Sequence, residues 1–207
     1  MKTRILKNSL LVMLGILLFT ASSCKKEDTP EPQPQQISLS DEDKAALLFM
    51  LEEEKLARDV YEYLDELWNL PQFANIKLSE QKHIDRVVGL LDKYAVPYTI
   101  LPAGEFSDNE LKNLYAKFIN DGKDSKLAAL LIGATIEDLD IVDLQGYIDG
   151  TANTDMQSTF TSLQCASRNH LRAFVTAIKG EGGTYTPQFL TQDDYDTIIV
   201  GSHESCN

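Results

Sequence analysis

Carboxylate and imidazole side chains interrupt the apolar faces of four helical segments in this sequence. Glu54 continues an apolar stripe of the first segment, and the other polar members are Glu80, His83, Glu137, Asp140 and His170. A buried carboxylate without a partner is costly, so such groups must be neutralised, paired or bound to metal. Oxygen and nitrogen ligands that project inward from facing helices are typical of di-iron and di-manganese bundles.

The spacing of these residues favours a metal site over solvated pairs. Glu80 and His83 form Glu-x-x-His, so both side chains project from one helix face. Such a pair alone is usually solvated, but here it is matched by carboxylates and an imidazole on the other helices. In the run of three glutamates, we expect Glu54, or failing it Glu53, to be the one that points inward. Arg58 offers a structural alternative, since its guanidinium can pair with a core carboxylate in place of metal.

Apolar periodicity predicts an all-α protein with four long helices. The predicted helices cover residues 41–68, about 79–94, about 125–147 and about 155–179, with a short helix over about 109–120. Asn69-Leu70-Pro71 is predicted to end the first helix, and Ser79 is predicted to cap the second.

The connection between the second and third long helices is long and rich in proline and glycine. An up-down-up-down bundle needs only short loops, whereas a ferritin-like bundle has one long crossover. The sequence therefore predicts a ferritin-like four-helix bundle over residues 39–200. Its crossover carries the short extra helix, and the tail from Thr184 packs back on the bundle.

The N-terminus has the features of an export signal. A basic start, an apolar run over residues 10–19 and three small residues precede Cys24. This order resembles a bacterial lipoprotein signal, which implies cleavage after residues 1–23 and a lipid on Cys24. Residues 24–38 are then a flexible tether, and the protein is anchored in the cell envelope, facing the periplasm or the cell surface. The alternatives are an ordinary secretory signal and an uncleaved anchor.

The net charge limits the kinds of binding partner, and the cysteines allow a disulfide. The formal charge of -13 disfavours binding to nucleic acid, and any contact with the membrane is expected through the lipid anchor. Cys165 and Cys206 would lie in an oxidising compartment, where they either form a disulfide or leave a buried thiol at Cys165. The sequence leaves that choice open.

Five ordered blocks carry a family resemblance. The first block contains Glu-Lys-Leu-Ala-Arg-Asp-Val-Tyr, which resembles the first-helix motif Glu-x-x-Ala-Arg-x-x-Tyr of rubrerythrins. All five resemble the DUF2202 family of ferritin-like proteins, over roughly residues 42–199. The blocks are EEEKLARDVY (52–61), SEQKHID (79–85), IEDLDIVDL (136–144), SRNHLRAF (167–174) and TYTPQFL (184–190).

The resemblance implies a set of metal ligands and one departure from the di-iron pattern. The implied ligands are Glu54, Glu80, His83, Glu137 and His170, with Asp140 as an additional or alternative carboxylate. Iron is the implied metal, and manganese or zinc would also suit these ligands. Ser167 stands where the pattern has glutamate, so the site holds either two ions or one. Tyr61 is the candidate redox residue, and the alternative is a core tyrosine with a bonded hydroxyl.

These features predict a metal-binding protein of the envelope, of the kind that acts as a di-iron or di-manganese oxidoreductase on oxygen or peroxide. Rubrerythrins carry paired Cys-x-x-Cys motifs for an iron–sulfur centre, and this sequence has none. An enzyme of this kind would therefore need an external electron donor. The alternative is a non-catalytic envelope scaffold or binding module with a metal-free polar core. Substrate and oligomeric state remain open from the sequence.

Overall fold

Six α-helices make up the regular structure of residues 39–206, the part of the chain that the computed structural model describes. They are α1 (Asp41–Trp68), α2 (Pro71–Lys93), α3 (Asn109–Gly122), α4 (Lys126–Gly150), α5 (Thr154–Gly180) and α6 (Gln192–Val200). No strand occurs within 39–206, and this confirms the prediction of an all-helical protein. The predicted signal peptide (1–23), Cys24 and the tether lie outside the described residues.

The junction between α1 and α2 differs from the prediction. Asn69 adopts the left-handed conformation with φ 50°, Leu70 is extended, and Pro71 is the first residue of α2. The prediction that the second helix begins at Ser79 is therefore wrong, because Ser79 lies inside α2. Proline breaks helix interiors but suits the first turn, where its missing N–H has no intrahelical role and its fixed φ is already helical.

Four long helices pack as two hairpins. Two residues join α1 to α2, and residues 151–153 join α4 to α5, so each pair is antiparallel. The hairpins meet through contacts of α2 with α5 and of α1 with α4. The α2–α4 connection is long and carries α3, which packs on α1 and α4. The described residues thus form a helical bundle, none of whose helices is long and apolar enough to cross a membrane.

Two apolar clusters divide the bundle interior and leave a polar layer between them. One cluster includes Leu47, Met50 and Phe160, and the other includes Tyr61, Phe73 and Phe174. Buried polar residues lie at intermediate sequence positions on each long helix. The polar layer comprises Glu53, Glu54, Glu80, His83, Glu137, Asp140, Ser167 and, partly exposed, His170.

The tail packs on α4 and α5. The fully buried Asp138 accepts hydrogen bonds from the Tyr185 hydroxyl (2.7 Å) and from three backbone N–H groups of residues 188–190. A disulfide joins Cys165 of α5 to Cys206. The nine-residue helix α6, capped by Thr191, is not among the predicted helices, because so short a segment carries little periodic signal.

Candidate metal centre

The polar layer draws its side chains from all four long helices. Glu54 comes from α1, Glu80 and His83 from α2, Glu137 from α4 and His170 from α5. The three glutamates are each 2% exposed and His83 is 5% exposed, while the His170 side chain is 12% exposed. The apolar residues above and below carry these groups inward, because they continue the same helix faces.

Glu54, Glu80 and His83 form the first triad. One potential ligand atom of each lies within 4.8 Å of the others. His83 Nδ1 is 3.1 Å from Glu54 Oε2 and 2.8 Å from Glu80 Oε2. The three side chains could hold one metal ion.

Glu80, Glu137 and His170 form a second triad within the same limit. His170 Nδ1 is 3.0 Å from Glu80 Oε1 and 3.3 Å from Glu137 Oε2. Glu80 therefore belongs to both triads, with Oε2 near the first imidazole and Oε1 near the second. A carboxylate in that position can bridge two cations.

Unpartnered atoms show that these residues fit a cation. Glu54 Oε1, Glu80 Oε1, Asp140 Oδ1 and His170 Nδ1 are buried and have no hydrogen-bond partner among the described residues. Glu80 Oε1 is close to His170 Nδ1, yet it lies off the direction in which that ring nitrogen would donate. Lone pairs that converge without a donor between them are satisfied when a metal ion occupies the common point.

The electrostatics of the triads follow from burial and from the two imidazoles. Burial raises the pKa of Glu54 to about 7, although the neighbouring His83 works in the opposite direction. Burial would also raise the pKa of Glu80, but His83 and His170 together outweigh it and hold that pKa below its ordinary value. Burial opposes charge on His170, yet Glu137 and Glu80 raise its pKa to about 10. Protons thus hold the cluster together without metal, and metal binding must displace them.

Tyr61 lies directly behind the second triad. Its hydroxyl donates to Glu137 Oε1 at 2.6 Å, and its ring packs against Phe73 and Phe174. Burial raises the pKa of this phenol well above its ordinary value, and the Glu137 carboxylate adds to the effect. The hydroxyl is therefore a donor that orients Glu137, and a redox role for Tyr61 stays a prediction.

Asp140 belongs to neither triad. It is held by Ser167, the residue that stands where the di-iron pattern has glutamate. The Ser167 hydroxyl donates to Asp140 Oδ2 and is itself 1% exposed. Burial raises the pKa of Asp140 well above its ordinary value, and the nearby Glu54 and Glu137 charges add to that rise. Asp140 thus supplies a further buried carboxylate beside the triads.

Glu53 and Glu54 both point inward, so the prediction that only one of them does so is wrong. Glu53 is 3% exposed, and neither of its carboxylate oxygens has a partner among the described residues. Glu54 faces His83 of α2, whereas Glu53 faces Asp140 and Asp143 of α4. Adjacent positions can both be buried because α1 has a neighbouring helix on each of these sides.

Arg58 pairs with a buried carboxylate, as the structural alternative expects, but that carboxylate is Asp59 and not a member of either triad. Its guanidinium donates to Asp59 Oδ1 and to Gln81 Oε1, and both contacts lie outside the triads. Asp59 pairs in turn with Lys55, a buried cation that is not among the predicted polar core residues. The signal was present as opposite charges at i and i+4 within an apolar stretch of α1.

The fold and the site together define the class of this protein. It is an all-helical bundle whose central carboxylates and imidazoles could hold metal ions. The chain belongs to the DUF2202 family, whose sequence model, described as "Uncharacterized protein domain (DUF2202)", matches residues 43–202. It is similar to the "Uncharacterized protein MJ0754" of Methanocaldococcus jannaschii, with 45% identity over 168 residues, which cover 80% of this chain and 91% of that protein.

The fold is also found in a solved structure. It is similar to the crystal structure of hypothetical protein MJ0754 from Methanococcus jannaschii DSM 2661, with a TM-score of 0.79 and 44% identity. The similarity covers 84% of this chain and 98% of the other. Neither description states an activity.

Proposed function

We propose that this chain is a two-ion metalloprotein with a ferritin-like, rubrerythrin-related domain, and that it acts as an oxidoreductase on oxygen or peroxide. The position of Glu80 carries this proposal. Its two oxygens face two different imidazoles, 2.8 Å from His83 Nδ1 and 3.0 Å from His170 Nδ1. A bridging carboxylate with one imidazole on each side suits a pair of ions better than a single ion.

Charge balance supports two ions despite Ser167. Glu53, Glu54, Glu80, Glu137 and Asp140 are buried around only two imidazoles. Two divalent cations would bring such a group close to neutrality, and a single cation would leave most of its excess negative charge. Asp140 supplies the carboxylate that the serine position does not.

The ligand types favour iron, with manganese or zinc as the other suitable metals, because all are bound well by carboxylate and imidazole. When bound, a redox-active metal supplies the electron transfer that reduction of oxygen or peroxide requires. The chain's own residues hold and orient the ligands of the metal ions. Tyr61 fixes Glu137 by its hydrogen bond, and the two apolar clusters exclude water from both sides of the polar layer. Electrons would come from an external donor.

The ferritin-like assignment is supported by the arrangement of the long helices. Their two hairpins are joined by one long connection that carries α3, as a ferritin-like crossover requires. The proposed place of action is the cell envelope, with the domain tethered through a lipid on Cys24. That part of the proposal rests on the sequence around Cys24.

Metal analysis of the purified protein tests the two-ion site. The test variant is Glu80→Gln/His83→Gln, and the control is Glu62→Gln/Glu66→Gln, two changes to glutamine at exposed positions. We expect about two equivalents of iron or manganese in the unmodified protein and the control, and loss of both in the test variant.

Other stoichiometries would change the conclusion. One equivalent would contradict the two-ion centre and indicate an asymmetric site. No binding after reconstitution with iron, manganese and zinc would contradict the metalloprotein and leave the scaffold alternative.

Turnover is tested separately, because metal binding alone does not make an enzyme. Iron-loaded protein with an artificial electron donor should consume hydrogen peroxide or oxygen, and the Glu80→Gln/His83→Gln variant should not. Tyr61→Phe should keep its iron and lose rate, since Glu137 loses its orienting donor. Iron-loaded protein without consumption above that of the variant would contradict the oxidoreductase.

A further inference from the structure

A cavity of about 360 Å³ opens beside the two histidines of the centre. Its lining includes Lys82, His83, Arg86, Asn169, His170 and Glu204. It is bounded by α2, α5 and the end of the tail. The proposed oxidoreductase does not assign it a role.

The imidazole rings of His83 and His170 both direct Nδ1 toward the carboxylates of the triads. In both rings Nδ1 is the nitrogen beside the triad oxygens, so Nε2 points away from them. A metal ion on Nδ1 uses that lone pair and leaves the ring hydrogen on Nε2. In the metal-bound protein of the proposed function, each ring therefore offers an outward N–H donor.

Those outward donors have no protein acceptor. Histidines that bind metal almost always donate the other ring N–H to a carboxylate, a carbonyl or water. Within residues 39–206, the hydrogen bonds of His83 and the close contacts of His170 all involve Nδ1. The cavity that both rings line is the place from which an acceptor can reach them.

The charge of the cavity selects the kind of acceptor. Lys82 and Arg86 are exposed on its rim and form none of the ion pairs between described residues, although Arg86 donates to the Ser162 hydroxyl. Glu204 is the acidic group of the lining, and Arg168 and Arg172 both pair with it. A chain with a net charge of -13 thus carries unpaired positive charge at this opening.

The far wall of the cavity is held in place before any ligand binds. The Cys165–Cys206 disulfide ties the tail to α5, and the Asn169 side chain bonds the Glu204 backbone on both sides. A preformed wall lowers the entropy that a small ligand must overcome.

We propose that this cavity binds a small oxyanion of the phosphate, sulfate or carboxylate type. The Nε2–H groups of His83 and His170 donate to it from the floor, and Lys82 and Arg86 neutralise it at the rim. The anion supplies the outer acceptor that strengthens the imidazoles as ligands. Anion and metal binding are then coupled, and each increases the affinity of the other.

Sulfate binding to the zinc-loaded protein tests the proposal. Zinc is diamagnetic, so the two Nε2–H groups can be followed by NMR in protein labelled with ¹⁵N-histidine. Sulfate, titrated at constant ionic strength, should shift both signals in a saturable manner. Lys82→Gln/Arg86→Gln should weaken sulfate binding by tenfold or more, because it removes two charges from the rim. The control Lys112→Gln/Lys123→Gln carries two substitutions at exposed lysines elsewhere and should bind within twofold of the unmodified protein.

The outcomes separate this proposal from the metal centre. Zinc content, measured in every sample, reports on the centre itself, and an unchanged backbone spectrum reports that the variants are folded. The anion site would be overturned, and the metal centre left intact, if sulfate did not shift the Nε2–H signals of the zinc-loaded protein. Equal weakening of sulfate binding in both double variants would lead to the same conclusion. Protein that does not bind zinc or another of the tested metals would contradict the metal centre, and with it the coupled anion site.

Discussion

Two groups of buried charges lie on neighbouring turns of α1, and they are satisfied in opposite ways. Lys55 and Asp59 are each 2% exposed and form a 2.6 Å ion pair. The Lys55 ammonium also donates to the backbone carbonyls of Pro102 and Glu105, and Asp59 accepts from Arg58 and the Gly104 N–H. Glu53 and Glu54 are just as buried, yet three of their four oxygens have no partner within the described chain.

The difference separates structural polarity from a site that needs a ligand. In the Lys55 group, opposite charges and backbone dipoles balance, and the result fastens the α2–α4 connection to α1. In the metal centre, carboxylates exceed positive groups, and lone pairs converge on common points. A fully paired buried group holds a fold together, whereas an excess of one sign at the same depth calls for a counter-ion from outside.

The largest expected effect comes from breaking the paired group. Lys55→Met should lower the free energy of unfolding by about 3 kcal/mol, because removing one partner leaves a buried charge only partly compensated. The loss should be the same with and without metal. Denaturant unfolding measures it, with the exposed Lys112→Met as a control that should change stability by less than about 0.5 kcal/mol. A loss that appeared only in the metal-free protein would contradict the structural role.

Removal of the metal should destabilise the protein only through the buried carboxylates of the metal centre, and not through the Lys55–Asp59 pair. Chelation should lower the free energy of unfolding by about 3 kcal/mol when free metal had been near ten times the dissociation constant at each of the two sites. The Glu80→Gln/His83→Gln variant should show no response to chelator, and Lys55→Met should respond as the unmodified protein does. Equal stability of the unmodified protein in metal buffer and in chelator would remove the distinction between the two groups.

The next expected effect is a change in the free energy of unfolding of the metal-free protein with pH. Burial raises the pKa of Glu54 to about 7 in the folded state, so folded protein binds more protons than unfolded protein above the ordinary glutamate value. The contribution of Glu54 to the free energy of unfolding is therefore fully present below about pH 4.5 and is lost, by roughly 3 kcal/mol, as pH rises through about 7. Glu80, whose pKa is lowered, stays ionised over this range and does not oppose the trend.

Unfolding of chelated protein between pH 4.5 and 8 measures that slope. Glu54→Gln should reduce it, and bound metal should remove it, since the ion takes the place of the protons. A metal-free protein that became more stable over this range would contradict the excess of buried carboxylates.

The smallest effect compares two adjacent glutamates. Glu52 accepts the backbone N–H groups of Ser107 (2.7 Å) and Asp108 (2.8 Å), whereas Glu53 has no such partner. In metal-free protein above pH 7, Glu52→Gln should cost about 1 kcal/mol by weakening charged hydrogen bonds. Glu53→Gln should instead stabilise by about 1 kcal/mol, because burial raises the pKa of Glu53 well above its ordinary value and a neutral amide avoids the cost of keeping that carboxyl group protonated or buried as an ion. Parallel thermal and denaturant unfolding compares the two, and the same sign for both would contradict the contrast.

Local patterns predicted most of the helices and failed where a signal had two meanings. The bounds of α1, α4 and α5 lie close to those expected from apolar periodicity and caps. Pro71 is a signal for the end of a helix in the sequence, although the same residue begins α2. Sequence also placed Glu54 and Glu80 on inward faces, because an i, i+3 or i, i+4 relation to apolar neighbours is a local property of a helix.

The sequence by itself determined that the chain is helical and at which height of each helix the polar residues stand, since both follow from a repeat of 3.6 residues along one segment. Only the tertiary structure decided that Glu80 belongs to both triads, that Arg58 pairs with Asp59, and that Cys165 meets Cys206. These relations are distances and directions between side chains, and most of them join helices far apart in sequence. Such distances are set by how the hairpins pack, and no periodicity within one segment encodes them.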